Sequence, residues 1–220
     1  MNSTQDTSGI GAIIPASRFS TEIRIANSRF IATIAPAFTV ADAKAFIREI
    51  NNLYPDATHN VPVYQIGFGP SVTAHCSDNG EPSGTAGRPA LAVLAGSGIS
   101  DTVLVITRYF GGTKLGTGGL VKAYSESARA AIQAVPKARK VTVHSCQISC
   151  PYSLYEQLIR LLKKAGSKID GEEFGEQIAI RFSIPVDSFD MLTGQITNFT
   201  KGKISVQIIT ENQTAIIPIH

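Results

Sequence analysis

Residues Thr107–Tyr124 read TRYFGGTKLGTGGLVKAY, and the interpretation of the whole chain starts from this stretch. The apolar, β-branched run Asp101–Ile106 precedes it and predicts a buried strand. After it, apolar residues recur at spacings of three and four, which predicts an amphipathic helix. These residues are Leu120, Val121, Tyr124, Ala128, Ala131, Ile132 and Val135. The stretch is therefore predicted to contain a loop that connects a strand to a helix.

This loop is unusually rich in glycine, with five glycines in the nine residues Gly111–Gly119. Glycine lets backbone N–H groups approach a ligand closely, and a helix N-terminus adds free N–H groups and a positive dipole end. The loop therefore predicts an anion-binding or backbone-docking surface. Its candidate residues are Arg108, Gly111, Gly112, Lys114, Gly116, Gly118, Gly119 and Lys122. The alternative is that the glycines serve tight packing and positive φ angles.

The spacing of the glycines excludes two common phosphate-binding motifs. The stretch lacks the pattern G-x-x-x-x-G-K-[ST] of a Walker-type loop, and Val121 stands where a Rossmann fingerprint requires glycine. The chain also lacks the nucleophile elbow G-x-S-x-G. These patterns favour a binding surface over an enzyme, and we expect neither catalytic residues nor a cofactor.

A second glycine-bearing loop, Ser77–Pro89 (SDNGEPSGTAGRP), also leads into a predicted helix, Ala90–Ala95. If the two loops form one site, Glu81 or Asp78 is expected to pair with Arg108, which would leave Lys114 for an anion. The two carboxylates can instead bind a cation, although nearby arginines favour pairing. The supporting polar residues of this candidate site are His59, Asp78, Glu81, Thr85 and Arg88. The alternative interpretation is that the segment Ser77–Pro89 is disordered.

Two further groups of titratable residues are candidate sites. His59, which stands beside Asn60, can form an acid–base site with His75 and Asp78, or it can be an ordinary structural histidine. The second group, His144, Cys146 and Cys150, shares one face of a predicted strand. A strand lacks the turn that structural zinc sites use, so no metal site is predicted.

Composition indicates an ordinary globular protein, with 43% hydrophobic and 17% charged residues in a chain of 220. The net charge of +3 arises in residues 1–140, which carry 13 basic and 9 acidic residues, against 7 and 8 in residues 141–220. Attraction to nucleic acid should therefore come from the first part, unless these are scattered solvating charges. Few aromatic residues and no tryptophan mean that stacking platforms are not indicated.

The cysteine content and the hydropathy pattern bear on the cellular compartment. Three cysteines without framework spacing are typical of a reducing compartment. The chain shows no charged and apolar leader and no apolar run that would span a bilayer. We therefore expect a cytoplasmic protein with no membrane partner.

The first part of the chain is predicted to form an α/β domain over residues 9–136, after a flexible tail at residues 1–8. A bent strand or a hairpin is expected over Glu22–Ile34, with the bend at Asn27-Ser28. A capping box at Thr39–Asp42 starts a helix that ends before Pro55. Strands are expected at Pro62–Phe68 and Val72–Cys76, with a turn at Gly69-Pro70 between them.

A basic linker at residues 137–140 is expected to separate this domain from a second one over residues 141–220. The order of predicted elements there is strand, helix, strand, strand, helix, strand, which is the split βαβ, ferredoxin-like arrangement. The elements are Val141–Ser149, Ser153–Ala165, Ser167–Phe174, Gln177–Ile184, Asp187–Phe199 and Ile204–Thr210. The first of the two helices should begin with a capping box at Ser153–Glu156 and end at Gly166.

Two long blocks of the chain resemble the signature blocks of the YigZ/IMPACT family. They are Asp78–Gly87 (DNGEPSGTAG) and Arg108–Tyr124, and Ser28–Ala32 and Ala57–Asn60 resemble weaker blocks of the same family. The resemblance extends over nearly the whole chain. The chain departs from the family pattern in two places: His59-Asn60-Val61, where the family often has a cysteine, and Asp78-Asn79-Gly80, where it often has a second aspartate.

The resemblance implies a two-domain α+β fold. The N-terminal domain would resemble a ribosomal-protein fold and domain four of elongation factor G, and the C-terminal domain would be ferredoxin-like. For bacterial members of the family, fold analogy suggests binding to RNA or the ribosome. The eukaryotic member IMPACT acts without catalysis on a translation-regulatory partner, so the resemblance also implies a non-catalytic protein that can bind such a partner. Two alternatives remain open: an enzyme acting on a phosphorylated small molecule at the paired loops, and a pure protein-interaction module.

Overall fold

The computed structural model describes residues 11–68 and 71–219 and divides them into two compact units. The first unit contains Ala12–Arg139 and residues 217–219, and the second contains Gly11 and Lys140–Ile216. The flexible tail expected at residues 1–8 and the turn expected at Gly69-Pro70 lie outside the described residues.

The first unit is built on an antiparallel sheet with helices on both faces. The strands of this sheet are β2 (Phe19–Ile25), β3 (Ser28–Pro36), β4 (His59–Ile66), β5 (Thr73–Cys76) and β6 (Thr102–Tyr109), and a further short strand of the unit, β1 (Ala12–Pro15), is not part of it. Its helices are α1 (Val40–Leu53), α2 (Gly87–Ala95) and α3 (Gly116–Ala134). The sheet order is β2-β3-β6-β4-β5, and all neighbouring strands are antiparallel. This places β6, which leads into the glycine-rich loop, in the middle of the sheet.

The two faces of the sheet are buried by different helices because side chains alternate along each strand. Leu104 and Ile106 of β6 pack in one core with α2 and α3. Val103, also on β6, packs in a second core with Ala43 of α1. Since β6 is buried on both faces, it reads as a continuous apolar run, and for this reason the sequence predicted it well.

The sequence correctly predicted the capping box of α1 and the hairpin near the start of the unit, apart from the exact position of the hairpin turn. The capping box of α1 is confirmed, since Thr39 accepts from the Asp42 N–H and the Asp42 carboxylate accepts from the Thr39 N–H. The segment Glu22–Ile34 is a hairpin of β2 and β3. Its turn is Ala26-Asn27, with φ angles of 46° and 67°, one residue before the expected position. Two successive positive φ angles match the type I′ turn that suits a twisted hairpin.

The second unit has the ferredoxin-like arrangement that the sequence predicts. Its elements are most of β7 (Lys137–Cys150), then α4 (Tyr152–Lys164), β8 (Lys168–Phe174), β9 (Ile178–Pro185), α5 (Val186–Thr200) and most of β10 (Gln207–Pro218). The strands follow the order β10-β7-β9-β8. Cys146, Ile148, Phe182, Leu158 and Ile196 are among the fully or almost fully buried residues of a core between this sheet and its two helices.

Three expectations for this part of the chain are wrong. Residues 137–140 belong to strand β7 and do not form a linker. The capping box at Ser153–Glu156 is absent, because α4 starts at Tyr152 after Pro151 and Ser153 already lies in its first turn. The last strand begins at Gln207, three residues later than expected.

The end of helix α4 is confirmed in detail. Gly166 has a φ of 77° and follows the last helical turn. The Gly166 N–H donates to the Lys163 carbonyl, and the Ser167 N–H donates to the Leu162 carbonyl. These two bonds form a Schellman motif, which needs a left-handed residue and therefore favours glycine.

Because the second unit has its own core, we expect residues 141–220 to fold as an isolated fragment. Thermal unfolding followed by circular dichroism should show one cooperative transition. Phe182→Ala, which removes a side chain with 0% exposure, should lower the free energy of unfolding by about 3–5 kcal/mol. The exposed Lys164→Ala should change it little. A fragment without a cooperative transition would contradict the division into two domains.

Candidate functional site

The two glycine-bearing loops of the first unit are joined by a buried ion pair. Nη1 of Arg108, at the end of β6, lies 2.6 Å from Oε1 of Glu81, in the loop before α2. The same oxygen accepts a hydrogen bond of 2.8 Å from the hydroxyl of Tyr124 on α3. The side chains of Arg108 and Glu81 are only 6% and 3% exposed. The expected contact between the loops is therefore present, and it is made by Glu81.

Aromatic rings surround the guanidinium of Arg108. Its central carbon lies 5.5 Å from the ring centroids of both Phe30 and Phe110, a distance at which cation–π attraction is significant. Its Nη2 also lies 3.5 Å from the hydroxyl of Ser28. Within the described part of the chain, Nε of Arg108 has no hydrogen-bond partner. Arg108 is thus a structural group inside the unit, and its charge is balanced by Glu81.

Tyr124 completes this cluster from the helix side. Its ring is fully buried and packs perpendicular to the ring of Phe30, with 5.4 Å between the ring centroids. Burial, together with the hydrogen bond to the carboxylate of Glu81, raises the pKa of Tyr124 far above its ordinary value. Tyr124 is therefore a neutral hydrogen-bond donor and is not poised to lose its proton.

Asp78, the other acidic residue of the first loop, does not pair with Arg108. Its carboxylate accepts hydrogen bonds from the N–H groups of Gly84, Ala86 and Gly87, at 2.8, 3.1 and 2.8 Å. Burial acts to raise the pKa of Asp78, but these three donors and the charge of Arg88 outweigh it and hold the pKa below its ordinary value. Asp78 thus fixes the loop onto the start of α2, where a carboxylate is favoured by free N–H groups.

His59 lies at the edge of the same cluster. Its Nδ1 donates to the carbonyl of Asn79 over 2.7 Å, and its Nε2 lies 3.8 Å from Oε2 of Glu81. Asn79 has a left-handed φ of 47° and also accepts from the Asn60 N–H. The expected position of His59 beside the loops is therefore observed. His75, in contrast, stacks on Tyr64 with 5.2 Å between the ring centroids.

The glycines of the second loop fall into two groups. A Cβ on Gly111 would lie 2.1 Å from the backbone of Asn27, so Gly111 is needed for close packing against the hairpin turn. Nothing lies within 4 Å of the corresponding Cβ position at Gly112, Gly116 or Gly118. Gly119 lies in α3 beside Leu115. The loop therefore starts with a packing glycine and continues into an open segment.

The open segment leads directly into the N-terminus of α3. This helix of 19 residues starts at Gly116, and no side chain caps its first N–H groups. Lys114 and Phe110 precede this helix in the chain and are exposed, Phe110 at 46%. The backbone of Phe110 is held by a hydrogen bond of 3.0 Å from its N–H to the hydroxyl of Thr58.

The remaining candidate residues are placed less centrally. Lys122 is exposed and lies 3.9 Å from Glu126 on the same helix. Thr85 is buried, and its hydroxyl donates to the carbonyl of Pro82 over 2.7 Å. Arg88 is exposed in the first turn of α2. Of these three, Thr85 has a structural role in shaping the first loop.

No group of three or more histidine, cysteine, aspartate or glutamate side chains in residues 11–68 and 71–219 is placed to hold a metal ion.

In the second unit, burial raises the pKa of Cys146 to about 11 and also raises the pKa of Cys150. His144 contacts the ring of Phe189 edge-on. The two thiols therefore stay protonated at neutral pH and pack as small apolar groups.

Sequence reasoning missed four residues that shape the site: Ser28, Asn79, Phe110 and Tyr124. Tyr124 was assigned only to the apolar face of α3, although a buried tyrosine hydroxyl usually needs a polar partner. That rule was the available signal for a polar group opposite α3. Exposure of Phe110 depends on the turn of the chain after β6, so no local sequence pattern indicated it.

Comparisons with known proteins agree with the resemblance seen in the sequence. Residues 26–132 match the Impact N-terminal domain, and residues 148–203 match a domain of unknown function, DUF1949. The chain is 33% identical over 200 residues to the IMPACT family member YigZ of Escherichia coli K12, covering 90% of this chain and 98% of that protein. This chain belongs to the IMPACT family. An IMPACT family member of Haemophilus influenzae is 30% identical over 206 residues, covering 90% of this chain and 96% of the relative.

A solved structure is similar to this chain over almost its whole length. A crystal structure described as that of a hypothetical protein is 32% identical to this chain. It aligns with a TM-score of 0.58, covering 92% of this chain and 99% of the solved one. Among the described residues, no helix has the length and hydropathy needed to cross a membrane.

We expect the Glu81–Arg108 pair to couple strongly in a double-mutant cycle measured by urea unfolding. Glu81→Leu or Arg108→Met alone should cost about 3–5 kcal/mol, since each leaves a buried charge without its partner. The double variant should be clearly less destabilised than the sum of the two. The exposed Glu22–Arg29 pair, 2.8 Å apart, is the matched control and should couple far less. Additive effects at Glu81 and Arg108 would show that the pair does not join the loops.

Asp78 should stabilise the protein only when its carboxyl is ionised. At pH 7, Asp78→Asn should lower the free energy of unfolding by about 1 kcal/mol, since the N–H groups of Gly84, Ala86 and Gly87 lose a charged acceptor. The folded-state pKa is below the ordinary value of 3.8. The wild-type advantage is therefore fully present above that value and should shrink as pH falls below it. Urea unfolding at pH 7 and at pH 3 tests this, and a difference independent of pH would contradict it.

Proposed function

We propose that this protein binds single-stranded RNA, in association with translation and without catalysis, through the loop of residues 110–119. The observation that carries the proposal is that Phe110 is exposed in the segment that leads into the uncapped N-terminus of α3. An aromatic ring offers a stacking surface for a base, and a helix N-terminus offers a site for a phosphate. These are the two elements that single-stranded nucleic acid requires.

The open glycines support a backbone contact with phosphate. Space for a Cβ at Gly112, Gly116 and Gly118 means that a ligand can approach the N–H groups of this segment without a clash. Lys114 lies in the same segment and is exposed, so it adds a full positive charge. Because Glu81 neutralises Arg108, Lys114 is the residue we assign to the phosphate.

The buried side chains of Arg108 and Glu81 hold the start of this loop in place. Arg108 holds Glu81 on one side and contacts the ring of Phe110 on the other. The backbone of Phe110 is fixed through Thr58. A ring fixed in this way loses little conformational freedom on binding, which favours affinity. The pair Glu81–Arg108 is therefore a positioning element and does not contact the RNA.

Ribosomal RNA is the target class to test first. The resemblance relates the N-terminal unit of the IMPACT family to ribosomal-protein and elongation-factor folds, which is an analogy of fold. The exposed Phe110 favours RNA over a phosphorylated small molecule, because a compact phosphate site does not need an aromatic ring of this exposure.

We expect full-length protein to bind a fluorescent single-stranded RNA at low salt and to lose affinity steeply as salt rises, because phosphate contacts release counterions. Fluorescence anisotropy measures this directly. Lys114→Ala should weaken binding for all RNA sequences alike and should flatten the salt dependence. Phe110→Ala should weaken binding by about tenfold with little change in the salt slope, since stacking is worth about 1–3 kcal/mol per base.

Lys44→Ala on α1 is the matched control, since Lys44 is also an exposed lysine of the first unit. It should leave RNA binding unchanged. Sedimentation with ribosomal subunits then tests the association with translation. No RNA binding at low salt, or equal effects of Lys114→Ala and Lys44→Ala, would overturn the proposal and favour a small-molecule or protein ligand.

A further inference from the structure

A groove of about 820 Å³ lies along helices α2 and α3, on the side of the helices rather than at their N-termini. Its apolar lining comes from Pro89, Ala92, Val93, Ile99, Val121 and Ile132. Several of these residues remain accessible, and Val121 is 39% exposed. The groove is thus an open apolar channel between two helices of the same unit.

The charged groups that line the groove are all positive. Arg129 and Lys137 belong to its lining, and no aspartate or glutamate does. No carboxylate in the described part of the chain forms an ion pair with either residue. Lys137 makes one long contact, 3.5 Å from its Nζ to the carbonyl of Gln133. The two cations are therefore available to a partner.

We propose that this groove binds an acidic amphipathic helix of a partner protein. An apolar groove between two helices is the surface into which such a helix inserts its apolar face. The two unpaired cations select a helix that carries aspartate or glutamate beside its apolar stripe. A basic helix would face repulsion from Arg129 and Lys137, with no carboxylate in the groove to compensate.

The dimensions also fit a short helix. Helix α2 has nine residues, so it spans about 14 Å at about 1.5 Å per residue. The partner would therefore contact the groove over roughly two to three helical turns, with apolar residues at spacings of three and four. Partial exposure of the lining favours a helix that keeps one face in water over a small molecule that needs enclosure.

The test is a selection for binders of the full-length protein from a display library of helical peptides with randomised surface positions. Enriched peptides should carry an apolar stripe flanked by aspartate or glutamate. Their affinity, measured by anisotropy, should fall at least tenfold in Val121→Glu, which places a charge in the apolar lining. Arg129→Glu should weaken acidic peptides by about tenfold and strengthen versions in which lysine replaces the acidic residues.

Arg48→Glu on α1 is the matched control, because it reverses an exposed arginine of the same unit away from the groove. It should leave peptide binding unchanged. Circular dichroism and thermal unfolding confirm that each variant is folded, so loss of binding is not loss of structure. A single-stranded RNA tested in parallel separates this groove from the loop of residues 110–119.

Several outcomes would overturn the proposal. They are no enrichment of any peptide, enrichment without acidic residues, or binding that survives both Val121→Glu and Arg129→Glu. The same holds if Arg129→Glu weakens RNA binding as strongly as Lys114→Ala and leaves peptide binding intact, since the groove would then belong to a nucleic-acid surface. Failure of RNA binding alone leaves this inference standing, because the two surfaces use different residues.

Discussion

The arrangement of the first unit depends on one buried ion pair, Glu81 with Arg108. Removing two charges from water is costly, and the attraction between them offsets this cost only with good geometry and further hydrogen bonds. Here Tyr124 supplies a second donor to Glu81, and Phe30 and Phe110 lie against the guanidinium. Because these groups come from two loops, two strands and a helix, the pair favours a single arrangement of all five elements.

Near the Glu81–Arg108 ion pair the loops are fixed by packing and hydrogen bonds, whereas residues further along the second loop have free space around them. Gly111 packs against Asn27, and Asp78 holds the first loop onto α2. Beyond these anchors, Gly112 and Gly116 have positive φ angles and free space around them. A binding segment attached to such a rigid base can be positioned without losing its access to a ligand.

The sequence predicted most elements because local and tertiary signals agreed, as at β6 and the capping box of α1. The prediction of a capping box at Ser153 was wrong because of the preceding proline. Helix α4 starts directly after Pro151, so Ser153 lies inside the first turn. Residues 137–140 looked like a linker from their charge, but they extend β7. For the site, complementary charge indicated the Glu81–Arg108 contact. The role of Tyr124 depends on which helix face meets the loop, and spacing alone does not determine that.

Burial also changes how the charge of the first part of the chain should be understood. Residues 1–140 carry 13 basic and 9 acidic residues. Arg108, Glu81 and Asp101 are buried, and the other described residues of this part, within 11–140, carry 12 basic against 6 acidic residues. The imbalance is thus larger outside the core than composition indicates, and it includes Lys114 at the loop and Arg129 at the groove. A positive surface potential steers anionic partners towards a protein. The burial of Glu81 and Asp101 therefore leaves fewer carboxylates on the surface to oppose anionic partners at the two proposed sites.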